Sequence, residues 1–200
     1  MSLAFLSPAA TAVARSPMER EAIAAGAVIE QRDGWNLAVR FDGDQSYEST
    51  VAFADRSHIG KLEVIGDHGL ELGSAHRRDD AWWCPTSRER ALVLCEPART
   101  AQLRDQLGAG AVDLTSAMGA LAIAGPLALE TFARFTALDL RPHITPVHGF
   151  RPGSVARTPG AVLRETEDRW LMLFGAALGA YVWTVVADAA ASLGGGPVGA

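Results

Sequence analysis

The sequence is poor in lysine. Lys61 is the only one in 200 residues, and 18 basic against 23 acidic side chains leave a formal net charge of −5. A nucleic-acid binder would normally present a basic field, and no run of like charge suggests an acidic tail or a basic arm. Cysteine is scarce too. Cys84 and Cys95 are too few for a disulfide framework and have no partner pair for a metal. The five histidines lack the short paired spacings that put two imidazoles on one ion, so no metal site is expected. There is no Gly-x-Ser-x-Gly elbow and no phosphate loop. Gly108-Ala109-Gly110 follows a helix instead of opening one, the reverse of a dinucleotide fingerprint. No charged-then-apolar leader opens the chain, so a cytoplasmic protein is expected.

Long hydrophobic runs are nearly absent as well. From Trp170 to Ala187 no residue is charged, a stretch matching the ~18 residues at which a membrane span becomes a candidate. Gly175 and Gly179 interrupt it, Tyr181 and Thr184 add polarity, and no basic cluster flanks it. A buried strand, Trp170–Phe174, followed by a core helix from Ala176 to about Leu193 is the expected reading.

What is present is a mixed pattern with 48% hydrophobic residues. Ser16-Pro17-Met18-Glu19 reads as a capped helix start ending near Gly26. Strands are expected at Ala27–Gln31, Trp35–Phe41 and Tyr47–Phe53, with turns at Asp33-Gly34 and Asp42-Gly43. The period-two alternation of Gly60–Gly66 marks another strand. Further strands are expected at Ala91–Cys95, Ala111–Leu114, Gly119–Ala124, Ser154–Thr158 and Ala161–Glu165. Helices are expected at Pro97–Leu107 and Pro126–Phe135, and residues 141–153 read as irregular. Strands and helices do not strictly alternate, so the class is α+β. Residues 1–15 read as a loose arm, 16–193 as one domain and 194–200 as a flexible tail.

Two segments resemble one another. Asp55-x-Ser57-x-x-Gly60 running to Gly66, and Asp113-x-Thr115-x-x-x-Gly119 running to Gly125, both read as acid, hydroxyl, glycine, alternating strand and terminal glycine. The similarity is either that of generic strands or the mark of two related halves. Asp79-Asp80 is the most interesting acidic pair. In a strand the two would face opposite ways, leaving one for a pocket; otherwise they form a polar turn paired to Arg77 and Arg78. Trp82-Trp83 reads as core, or as a stacking wall for a flat ring.

In their order, these motifs resemble the family of the glycine-cleavage T-protein (aminomethyltransferase) and the folate-binding-fold subunits of heterotetrameric sarcosine oxidase. The segments that carry the resemblance are Asp55-x-Ser57-His58-x-Gly60-Lys61-Leu62-x-Val64-x-Gly66, Asp79-Asp80, Asp113-Leu114-Thr115 through Pro126, and Ala156-Arg157-Thr158. The resemblance implies an aminomethyltransferase-like fold of antiparallel sheets with packed helices and two related halves. It places Asp80 at the catalytic aspartate, Ile59 against the pterin, and Leu92 and Leu94 on the folate-lining strand. The chain departs from the pattern at Leu92 (tyrosine in the family), Glu96 (asparagine) and Leu163 (the acid that grips the pterin). An unpaired buried donor costs ~1–3 kcal/mol, so the last departure bears directly on folate binding. The length, the opening Ser-Pro-x-Glu and the final apolar helix with Trp183 resemble the sarcosine oxidase gamma subunit. That implies an accessory subunit, binding no cofactor of its own, in a complex with flavin- and folate-carrying partners. The other reading is a tetrahydrofolate-dependent one-carbon transferase. Under the first, the Trp82-Trp83 strand and the helix bearing Tyr181 and Trp183 are the expected partner contacts.

Overall fold

The computed structural model describes residues 12–42 and 46–200. Most of the expected arm, and Gly43 of the second expected turn, lie outside the described residues. Ala14–Arg15 (β1) pairs in parallel with Trp35-Asn36, so the end of that arm is bonded. Helix α1 spans Glu19–Ala24, two residues later than the cap pattern suggests. The Ser16 hydroxyl accepts from Met18 N at 3.0 Å but donates to the Asp55 carboxylate, so it ties the helix start to a distant strand. Strands β2 (Ala27–Arg32) and β3 (Trp35–Phe41) form a hairpin. Its two-residue turn puts Asp33 and Gly34 at φ 50° and 78°, the left-handed geometry that Asp-Gly tolerates best.

The rest of the chain is built twice. The first half runs β4 (Ala52–Asp55), β5 (Gly60–Ile65), β6 (His76–Arg78), β7 (Ala81–Ser87) and β8 (Arg90–Cys95). A short 3-10 turn and helix α2 (Thr100–Leu107) follow. The second half runs β9 (Ala111–Asp113), β10 (Met118–Ala124), β11 (Phe150–Val155), β12 (Thr158–Arg164) and β13 (Arg169–Gly175). A second 3-10 turn and α4 (Gly179–Ala191) close it, and α3 (Ala128–Ala133) is inserted after β10. Each half lends its first strand to the other's sheet. The five-stranded sheet has the order β6-β7-β8-β5-β9, and the six-stranded sheet has β11-β12-β13-β10-β4 with β14 (Gly196–Pro197) added at the edge.

The seam between the halves repeats the motif residue by residue. Asp55 faces Leu121 across one sheet, and Asp113 faces Leu62 across the other. Asp55 Oδ1 accepts from Ser57 N at 2.9 Å, and Asp113 Oδ1 accepts from Thr115 N at 2.8 Å. Ser57 Oγ then accepts from Ala120 N, and Thr115 Oγ1 from Lys61 N, so each hydroxyl closes the other half's strand start. Gly60 opens β5, and Gly119 is the second residue of β10. The related halves implied by the sequence are the organising principle of the fold.

Alternation sorts the six-stranded sheet into two faces. Leu121, Ile123, Trp170, Met172 and Phe174 point to α1, α3 and α4, where Trp183 sits against Phe41 and Phe53. Ala120, Ala122, Leu163, Leu171 and Leu173 point to the five-stranded sheet, meeting Ile59, Leu92 and Leu94. Helix α2 covers the outer face of that sheet with Leu103. Among the described residues no helix is long and apolar enough to cross a membrane.

Three expectations need correction. Tyr47–Phe53 is a strand only from Ala52, because 47–51 turns to bring Thr50 N onto Tyr47 O. The strand expected at Ser154–Thr158 lies at Phe150–Val155. Residues 194–200, expected as a flexible tail, form a strap: Gly196 N donates to Val51 O, Val198 N to Phe53 O and Ala200 N to Ala38 O.

Candidate functional site

The β6–β7 hairpin turn is Asp79-Asp80, with φ 49° and 58°. The pair therefore does not alternate across a strand; both acids occupy a left-handed two-residue turn, a geometry aspartate tolerates better than most residues. The Asp80 side chain is 84% exposed and lies 3.5 Å from the Arg99 guanidinium, so neither Arg77 nor Arg78 is its partner. Those arginines lie over tryptophans instead: Arg77 sits 5.0 Å above Trp82 and Arg78 5.7 Å above Trp83. Trp83 is buried, whereas Trp82 is half-buried, with His148 against it at 5.0 Å.

Asp80 stands at the rim of a cavity of about 460 Å³ that opens between the ends of the two sheets. Ile59, Leu94 and Leu171 make its apolar floor and Trp82 a wall. The antiparallel register explains the assembly. Trp82 faces Leu94 across β7–β8, and Asp80 follows from the hairpin turn beside them. Three of the four residues singled out from the sequence (Ile59, Asp80 and Leu94) thus share one cavity. Leu92 does not line it; it is buried in the apolar cluster beneath, facing Cys84 and Glu63 in the ladders.

Sequence reasoning missed most of the polar lining. Arg56, Arg77, Glu165 and Arg169 reach the cavity from three separate strands or turns. Arg56 lies 3.5 Å from Glu96 on the rim, and Arg169 Nε donates to Glu165 at 2.8 Å across the β12–β13 turn. Arg56 occupies the unspecified position of the Asp-x-Ser motif, where no rule of spacing marks it. Leu163 is fully buried in the apolar cluster and offers no acceptor. Glu165, two residues on, does reach the cavity, but its carboxylate is already held by Arg169. The lining therefore does not reproduce the acceptor that the family resemblance requires for a pterin.

Behind the floor lies an ionic seam. Lys61 is fully buried, and its ammonium donates to Ser57 O, Ile59 O and Thr115 O at 2.8, 2.9 and 3.3 Å. Burial lowers its pKa to about 8, although Asp55 and Asp113 pull the other way. The Asp55 carboxyl is raised by the same burial, against the hydrogen bonds from Ser16 and Ser57. His58 is held down to about 4 by burial, then by the charges of Arg56 and Lys61, so the ring is neutral at pH 7. These groups fix the position of Ile59; none is exposed for chemistry.

No family model matches the sequence, and no curated protein matches it either. Solved structures do. A chain of the heterotetrameric sarcosine oxidase from Corynebacterium sp. U-96, crystallised with pyrrole 2-carboxylate, superposes with a TM-score of 0.70 at 19% identity. The match covers 90% of this chain and 96% of that one. The glycine cleavage system aminomethyltransferase T from Bartonella henselae superposes with a TM-score of 0.77 at 14% identity over 94% of this chain, which spans only 60% of that protein. The chain has the aminomethyltransferase-like fold that both of these structures share, as its sequence motifs imply.

Proposed function

We propose that this chain is an accessory, non-catalytic subunit of a flavin-dependent complex that oxidises sarcosine or a related amine in the cytoplasm, serving one-carbon metabolism. The observation that carries the reading is the length match. The sarcosine oxidase chain is covered almost end to end, whereas the aminomethyltransferase extends well beyond this fold. The buried Leu163 supports it, because a working pterin site needs an acceptor there. On this reading the chain holds no cofactor, and its partners carry the flavin and the folate.

A second reading, a tetrahydrofolate-dependent aminomethyltransferase-like enzyme, draws support from the shared cavity of Ile59, Asp80 and Leu94. Two measurements separate them. Co-expression with flavin-carrying oxidase subunits should yield a stable hetero-oligomer, and tetrahydrofolate titrated into the purified chain should bind no tighter than about 1 mM. Micromolar binding that Asp80→Asn abolishes would establish the transferase instead.

The partner surface differs from the expected one. Trp183 is core, and Trp82 and Trp83 are covered by arginines, so of the four aromatics only Tyr181, 45% exposed, remains open on α4.

A further inference from the structure

The charges around the cavity do not cancel. Arg56, Arg77 and Arg169 line it, and Arg99 stands behind Asp80, while the carboxylates are Asp80, Glu96 and Glu165. Three pairs form: Arg56 with Glu96, Arg99 with Asp80, and Arg169 with Glu165. Among the described residues Arg77 has no carboxylate partner; its guanidinium lies on the Trp82 ring at the cavity wall. The lining thus carries one surplus positive charge.

The Arg56 pair is also incomplete. It is a single contact at 3.5 Å to a glutamate that is 70% exposed, and such rim pairs hold weakly. Arg56 Nε is buried and has no hydrogen-bond partner. A guanidinium offers a planar fork that a carboxylate can accept from with both oxygens, and here the buried prong of the fork is unused. Arg56 and Arg169 also line a neighbouring cavity of about 240 Å³ floored by Ala52, Ala54, Ala122 and Ala124, so both stand between two openings.

We propose that this cavity binds a small organic monocarboxylate with a flat apolar body. The carboxylate accepts from the Arg56 fork, and the body lies between the Trp82 wall and the Ile59–Leu94–Leu171 floor. The surplus of one charge selects a monoanion. A phosphate near its full charge would meet Glu96 and Glu165 with only Arg77 uncompensated. The volume falls within the ~300–1,000 Å³ of ordinary small-molecule sites. The inference does not depend on the subunit reading, since it concerns the chain alone.

The test uses the full chain and three probes that share a naphthalene body: 2-naphthoate, its neutral amide and 2-naphthyl phosphate. Binding is followed by calorimetry. 2-Naphthoate should bind at least about tenfold tighter than either the amide or the phosphate. Arg56→Gln should cost about tenfold for 2-naphthoate and nothing for the amide. Should Arg56→Gln not fold, Arg77→Gln is the second variant; it removes the surplus charge and should weaken 2-naphthoate by a similar factor. No binding of 2-naphthoate at about 10 mM, equal binding of the amide, or tighter binding of the phosphate would each overturn the proposal.

Discussion

Replacing Lys61 by methionine tests whether the ammonium is what joins the two halves. Methionine keeps the length and apolar volume of the stem, so little but the charged head is lost. Three carbonyls, those of Ser57, Ile59 and Thr115, then lose a donor. At ~1–3 kcal/mol for each buried acceptor left unpaired, the loss is roughly 3–9 kcal/mol. Against it stands the relief of an ammonium that burial disfavours. The fall from 10.5 to about 8 corresponds to ~3 kcal/mol at 1.36 per unit. The net expectation is a destabilisation of about 2–4 kcal/mol at pH 7, read by urea unfolding with tryptophan fluorescence. The same shift fixes a pH dependence. Between pH 8 and 10.5 the unfolded chain keeps the Lys61 proton while the folded chain sheds it, so folding stability from this group rises with pH across that window. The gap between the native protein and Lys61→Met should therefore widen, by up to ~3 kcal/mol from pH 7 to pH 10.5. Asp55 titrates in acid, and the cysteines titrate in both proteins, so the difference isolates Lys61. A gap that stays constant would show that the three carbonyls offset the burial. Equal stabilities at pH 7 would refute the account of the seam.

The seam hydroxyls should behave alike: Ser57→Ala and Thr115→Val each orphan a backbone N–H of the opposite half, and each should cost about 1–3 kcal/mol in urea unfolding. Gly119→Ala should cost about 1–3 kcal/mol by thermal unfolding, because a Cβ there would come 2.5 Å from the Phe174 ring. Amide hydrogen exchange should find Gly196, Val198 and Ala200 protected, since each donates to a backbone carbonyl of β3, β4 or the residue before β4; exchange at the rate of a free peptide would overturn the strap.

The elements were legible because their signals are local. Period-two alternation at Gly60–Ile65 and Met118–Ala124, the Asp33-Gly34 turn and the apolar run before Gly175 each follow from neighbours within a few residues. The repeat was legible for a further reason. Asp55 with Ser57 and Asp113 with Thr115 form the same local turn, so the same residue types recur at the same spacing. That was enough to place Ile59, Asp80 and Leu94 near one site through the family resemblance.

What no local rule carries is which strand lies beside which. The exchange of β4 and β9 between the halves is a long-range pairing, and it alone brings Arg56, Glu165 and Arg169 to the same cavity. Ser16 reads as a helix cap because a hydroxyl before a helix normally serves one, yet a carboxylate far along the chain claims its proton. The glycines of the tail read as flexible for lack of side chains. The fold uses that same lack: a Cβ at Gly195, Gly196 or Gly199 would collide with Val51, Tyr47 or Val39. Composition and periodicity determined the strands, the helices and the duplication. Close approach between distant segments, which depends on the packed chain, decided the seam, the strap and the charge of the site.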